Sequence, residues 1–221
     1  MENPWRQLSS NAPFVLNDDL AVIKAYNQFH EKQDTWINLS HTPEPRLGPV
    51  SAPVIILQLN PSYLRADLAG STDSDRVRRD MISIKDESHE HLGAALLDHW
   101  WKPRLSKLIG DVGTQQLSKR LCSIEFFPYR SLRFGHGQIR LPSQAYTFSL
   151  VRNGLARNAL FIVARNLELW TSAVPELLSR VNDTVYCLNN RRSSYYTERN
   201  LPPGCYKKIV ERLCGNLDCS P

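Results

Sequence analysis

No apolar stretch in this 221-residue chain is long enough to cross a bilayer. The longest, Val54-Ile55-Ile56-Leu57 and residues 159–164, fall well short of the ~18 residues that a membrane helix requires. The opening Met-Glu-Asn-Pro-Trp-Arg lacks the cationic start and apolar core of a secretory signal, so a cytoplasmic chain is expected. Its five cysteines (Cys122, Cys187, Cys205, Cys214 and Cys219) contain no C-x-x-C pair and match no common zinc spacing. Their odd number suggests reduced thiols rather than a disulfide framework. Glycine (10) and proline (14) stand near average usage, which leaves no low-complexity tract. A glycine-rich phosphate loop, H-E-x-x-H, G-x-S-x-G and an EF-hand pattern are all missing, so the chemistries they carry are not indicated. Neither an internal repeat nor a Ser/Gly linker divides the chain, and residues 1–221 read as one domain.

What is present begins with charge. Lys and Arg number 27 against 22 Asp and Glu, a net +5, which permits a polyanionic partner without demanding one. Four short apolar runs then share one grammar. Val54-Ile55-Ile56-Leu57-Gln58-Leu59 stops at Asn60-Pro61, residues 121–127 stop at Pro128, residues 159–164 stop at Arg165-Asn166, and residues 184–188 stop at Asn189-Asn190. Runs of this length ended by breakers predict buried strands. Helices are predicted over 17–33 with Asn17-Asp18-Asp19 as the cap, over 74–84, over 92–120 in pieces, and over 143–157, 166–180 and 203–214. The proline-rich stretch 41–53 reads as a loop, and residues 1–50 as a helical and irregular extension ahead of an α/β core over 51–214. Alternating strands and helices predict a three-layer α/β/α arrangement around a four-stranded parallel sheet.

Ligands of such sheets bind beyond the carboxyl ends of the strands. The residues there are Asn60-Pro61-Ser62-Tyr63, Glu125-Phe126-Phe127-Pro128-Tyr129-Arg130, Arg165-Asn166 and residues 189–196. Amides, arginines and tyrosines suit a site that hydrogen-bonds a heterocycle, stacks on it and holds a phosphodiester backbone.

In this order of motifs, over roughly residues 50–214, the chain resembles the uracil-DNA glycosylase superfamily. Leu57-Gln58-Leu59-Asn60-Pro61-Ser62-Tyr63 is similar to the family's first motif, in which an Asp or Asn before Pro positions the attacking water. Asn60 matches the Asn of the mismatch-specific branch, while Gln58 and Ser62 replace the usual glycines. Asn189-Asn190-Arg191-Arg192-Ser193-Ser194 stands where the family has His or Asn, then Pro-Ser and an intercalating Leu. Asn189 matches the Asn version; the Pro is missing and two arginines enter. The resemblance implies a fold like that family's, a monofunctional glycosylase with Asn60 and Asn189 as catalytic residues, DNA as partner, and neither metal nor organic cofactor. No lysine occupies a motif position, so a covalent imine is not expected.

Two departures carry chemical meaning. Ser62 stands where uracil enzymes often place a Tyr that excludes 5-substituted pyrimidines. Glu125 stands where the family reads the base edge with Asn. A carboxylate cannot donate to the uracil carbonyl but accepts well from the amino group of cytosine. Together they point to cytosine enlarged at the 5-position, such as the glucosylated hydroxymethylcytosine of phage DNA, and hence to phage defence. In this reading Gln58, Ser62, Tyr63, Glu125, Phe126 and Phe127 recognise the base, with either Phe as its stacking partner. Arg65, Arg130, Arg191, Arg192, Ser193, Ser194, Tyr195 and Tyr196 hold DNA, and the protein acts as a monomer. Asp73 and Asp75 stand as alternative carboxylates for the water. Three other readings stay open: a nucleic-acid-binding module that has lost the chemistry, a uracil or mismatch repair glycosylase, and an α/β enzyme acting on a free nucleotide.

Overall fold

The computed structural model describes residues 1–31, 33–62, 74–88, 100–190 and 192–215. Its strands are β1 (Arg46–Leu47), β2 (Val54–Gln58), β3 (Leu121–Glu125), β4 (Leu160–Val163) and β5 (Val185–Cys187). All residues of β2, β3 and β4 are buried, as continuous apolar runs covered on both faces must be. The strands lie in the order β1-β3-β2-β4-β5 in a mixed five-stranded sheet of α/β type. β2, β4 and β5 are parallel, with Val54 opposite Leu160, Leu57 opposite Val163, and Val163 opposite Cys187. Their carboxyl ends therefore share one edge.

The expected four-stranded, wholly parallel sheet needs correcting by one strand. β1 is two residues long and lies between Pro45 and Pro49, too short for any periodicity to show. Burial reveals it instead, Arg46 being 1% exposed and Leu47 5%. The Pro45 carbonyl beside it accepts the Glu125 N–H at 3.0 Å.

The helices are α1 (Asn17–Phe29), α2 (Ser74–Lys85), α3 (Trp101–Val112), α4 (Thr114–Arg120), α5 (Gln144–Ala156), α6 (Leu167–Ala173) and α7 (Cys205–Cys214). Gly113, at φ +85°, separates α3 from α4. The continuous helix expected over 166–180 instead ends at Ala173. Pro175, which has no N–H to donate, opens a separate 3-10 turn, Pro175–Arg180. α1 stops short of the expected residue 33, and the ring of His30 bonds the Tyr26 carbonyl at 2.8 Å at that end. Among the described residues no helix is long and apolar enough to cross a membrane. Cys122, Cys187 and Cys205 are free thiols, but Cys214, in the last turn of α7, is disulfide-bonded. The expectation of reduced thiols throughout fails there, because cysteine spacing does not encode where a helix ends.

The chain divides into two compact units. The first draws on Met1–Arg46, Leu59–Asp86 and Glu125–Ser149, the second on Leu47–Gln58, Glu87–Ile124 and Leu150–Pro221. The second holds an apolar core in which Val54, Ile56, Leu160 and Ile162 of the sheet join Leu105, Leu108, Ile209 and Leu213 of α3 and α7.

The first unit is organised around a buried carboxylate. Asp19, fully buried, accepts the Tyr129 hydroxyl at 2.7 Å and the Ser143 N–H at 3.0 Å, while that hydroxyl accepts the Leu16 N–H. Burial first, and the Asp19 charge second, hold the Tyr129 phenol above its ordinary range, so it stays a donor. The expected side-chain cap of α1 is thus replaced: no side chain caps it, and Asp19 ties three segments together instead. Asp19→Asn keeps one acceptor and loses the other. It is expected to lower stability by about 1.5–3 kcal/mol, the worth of a hydrogen bond to a charged group. Differential scanning calorimetry should then show a Tm about 4–10 °C lower; an unchanged Tm would mean that the network contributes nothing net.

Candidate functional site

The chain leaves β2 at Gln58 and enters the first unit at Leu59. There it meets the segment that follows β3. The Phe127 N–H donates to the Leu59 carbonyl at 2.8 Å, the Asn60 amide donates to the Ser131 hydroxyl at 2.8 Å, and Arg130 Nη1 donates to the Ser62 carbonyl at 3.0 Å. Two of the four strand-end motifs are thereby laid side by side within one unit.

Asn60 is oriented by these bonds. The single hydrogen of the Ser131 hydroxyl goes to the Arg133 carbonyl at 2.9 Å, so Ser131 must accept from Asn60. The Pro61 carbonyl, 3.1 Å from Nδ2, requires the same donor. Both constraints place the amide nitrogen inward, which settles the amide orientation. Among the described residues nothing donates to Asn60 Oδ1. Half-buried Asn60 therefore presents a fixed acceptor with an open lone pair, the arrangement that can hold a water by its hydrogen. Ser62, two residues on, is exposed and carries no bulk.

Arg130 does something other than the phosphate contact expected of it. It is 7% exposed, and its guanidinium donates to the Thr42 carbonyl (2.9 Å), the Ser62 carbonyl and the Glu44 carboxylate (2.7 Å). A planar fork bound on three sides inside the unit clamps the loop after β2 and has no free edge for a phosphate. Glu125 is buried at the end of β3. Phe126 and Phe127 are fully buried. The former packs on Phe148 with Arg140 over its face, and the latter lies parallel to His136 at 4.4 Å. Neither ring is exposed as the base-stacking surface assigned to them, since in this sequence the aromatics after β3 are core.

Gln58 and the site residues after β5 lie in the second unit. The Gln58 side chain donates to the Tyr196 hydroxyl at 3.3 Å, and its carbonyl accepts the Trp170 indole N–H at 3.1 Å. Tyr196 is fully buried and Ser194 is 3% exposed, so neither reaches DNA as expected; both lie on the inner side of the loop after β5. Arg192 and Tyr195 are exposed, the latter by 45%, and Ser193 is partly so. Asn189 Nδ2 donates to the Arg199 and Leu201 carbonyls at 3.3 and 3.0 Å. Both amide hydrogens are committed, which removes the donor that a leaving-group role needs. Tyr63, Arg65, Asp73 and Arg191 lie outside the described residues, and Asp75 stands exposed in the first turn of α2.

No family model, curated protein or solved structure matches this chain. Its chemistry must be read from its own residues.

Four of these escaped sequence reasoning. Ser131 orients Asn60. Gln144 holds the Phe126 carbonyl at 2.8 Å. Asn200 accepts the Asn190 N–H and donates to the Ser193 and Tyr195 carbonyls, shaping the loop after β5. His136, beneath Phe127, is fully buried and donates through Nε2 to the Thr35 carbonyl at 2.9 Å. Only a general preference of Ser and Asn for turns signals the first and third.

Burial pushes His136 down to about 4, and nearby His30 adds to the effect. An unfolded chain binds a proton at this histidine near pH 6.5, and the folded one only near 4. Between those values the unfolded state holds more protons, so stability is complete above pH ~6.5 and drains away as pH falls to ~4. The loss from this residue is on the order of 3 kcal/mol. Urea midpoints measured from pH 7 to pH 4 should fall steeply for the native chain and less so for His136→Phe. Parallel profiles would exclude His136 as the cause.

Proposed function

We propose that this chain is a monofunctional DNA glycosylase that hydrolyses the N-glycosidic bond of a flipped-out pyrimidine, with a 5-substituted cytosine as substrate. One observation carries the proposal: Asn60, on the loop after β2, is held by its amide nitrogen so that its oxygen remains an open acceptor. In such a reaction the bond between the sugar carbon and the base nitrogen breaks, its electron pair leaves with the base, and the sugar becomes cationic. A water then attacks that carbon, and its proton passes through solvent to neutralise the departed base. Asn60 Oδ1 would orient this water by accepting one of its hydrogens, which saves the entropy of finding the attack position. Exposed Ser62 leaves room for a substituent that a larger residue would exclude. Buried Glu125 would accept from the exocyclic amino group. Asn189 has no part in stabilising the departing base, since its donors are on carbonyls.

That last point favours a second reading, a nucleic-acid-binding protein without the chemistry. One experiment separates the two. Oligonucleotides carrying uracil, cytosine, 5-hydroxymethylcytosine or its glucosylated form are incubated with the protein and scored for alkali-labile sites. Product from the 5-substituted cytosines is expected. Binding with no abasic product from any base selects the second reading, and uracil as the sole substrate removes the roles given to Ser62 and Glu125.

A further inference from the structure

Within the first unit, away from Asn60, a cleft of about 830 Å³ opens between the N-terminal segment and one face of α2. Phe14, Val77, Met81 and Ile82 form its apolar wall, and Ile82 is left 49% exposed. Val77 and Met81, four residues apart, share one face of the helix, and Ile82 shares the adjoining one with Arg78 and Lys85, four residues before it and three after. Arg6, Arg78 and Lys85 stand around this wall. Among the described residues none of the three has an ion-pair partner, whereas Arg76 on the same helix pairs with Asp80. Among the described residues Asp86 is the one carboxylate in the lining.

The walls are held in place. Asn3 Nδ2 donates to the Ile84 carbonyl at 3.2 Å, fastening the N-terminal 3-10 turn (Pro4–Gln7) to the end of α2. Arg46, 1% exposed, donates to the Ser83 and Asp86 carbonyls and finishes the same helix end. The cleft is thus preformed, and its volume falls within the range of about 300–1,000 Å³ that small-molecule sites occupy. A docked protein would need about 800 Å² of surface from this side, more than one turn-and-a-half of exposed helix face offers.

We propose that this cleft binds a small anionic amphiphile, an aliphatic or aromatic body bearing a carboxylate. The body lies on Phe14, Val77, Met81 and Ile82, and the acid group is met by Arg6, Arg78 and Lys85. The apolar wall would take any hydrophobic body, but three unpaired cations against one acid select the sign of the head group. This site is independent of the glycosylase reading and stands or falls without it.

Dodecanoate, kept below its micelle concentration, serves as the probe in isothermal titration calorimetry of the full chain. The expected result is saturable binding of one molecule per chain. Arg78→Glu and Ile82→Asp, both at exposed positions, should each weaken it about tenfold or more, equivalent to about 1.4 kcal/mol. Dodecyltrimethylammonium, with the same tail and the opposite charge, should bind at least about tenfold more weakly, by the same measure. Absence of saturable dodecanoate binding overturns the proposal, as does equal binding of the two amphiphiles or indifference to both substitutions. Sedimentation with phosphatidylglycerol-containing vesicles, without binding of monomeric dodecanoate, would also overturn it in favour of a lipid surface.

Discussion

Alanine in place of Asn60 is expected to lower turnover by roughly 10²-fold or more, the order of loss that misplacing a reacting group causes. The fold should survive, because Asn60 is only half-buried and its amide bonds just two partners, Ser131 and the Pro61 carbonyl. Single-turnover assays on the most reactive oligonucleotide give the rate, and a thermal melt checks the fold. Two companion variants make the result specific to water positioning. Ser131→Ala removes one of the two acceptors that fix the Asn60 nitrogen and leaves only the Pro61 carbonyl to hold the loosened amide, so kcat should fall about tenfold while KM moves little. Asn60→Asp keeps an acceptor towards the water and takes the Ser131 hydroxyl as donor once that hydroxyl turns from the Arg133 carbonyl. It should retain activity within about tenfold of the native chain, a small loss beside the factor of roughly 10² or more expected for alanine. Full activity in Asn60→Ala would show that the water is held elsewhere, with Asp75 the next residue to replace.

The legible parts of this molecule are those that repeat or run on. β2, β3, β4 and β5 are readable because four short apolar runs each stop at a breaker; the structure trims the first two at the carboxyl end alone and the other two by one residue at each end. α3 and α4 fall within the span 92–120 that reads as helix in pieces, and the structure places the break at Gly113. What stayed hidden depends on partners far away in sequence. Arg130 read as a phosphate ligand because arginine beside a strand end is usually exposed; its three acceptors come from residues 42, 44 and 62. Asp19 read as a helix cap because Asn17-Asp18-Asp19 opens a helix, yet its partners are Tyr129 and Ser143. Phe126 and Phe127 read as stacking surfaces and Tyr196 as a DNA contact, but an aromatic ring gives no local sign of which side it packs on. Asn60 was picked out by its neighbour Pro61; the bond that gives it a direction, to Ser131, has no trace in the sequence.

The same dependence on distant partners governs the two-residue strand that the prolines concealed. Gly48 follows Leu47 at φ +92°, a conformation that costs an L-residue roughly 1–2 kcal/mol. A Cβ built there would overlap the Leu121 carbonyl oxygen and lie 3.2 Å from Cys122 Cα. Those are backbone atoms at the start of β3, which cannot swing aside as a side-chain tip can, and overpacking of this kind costs about 1–3 kcal/mol more. Gly48→Ala is therefore expected to lose about 3 kcal/mol or more, lowering Tm by roughly 6–12 °C. Gly204 supplies the control. It sits at φ +75° ahead of α7 with nothing within 4 Å of its added Cβ, so Gly204→Ala meets the backbone cost alone. Urea unfolding of the two variants side by side should place Gly48→Ala lower by about the overpacking cost, 1–3 kcal/mol. Equal losses would mean that the chain after β1 does not approach β3 this closely, and that the glycine is there only for its backbone angle.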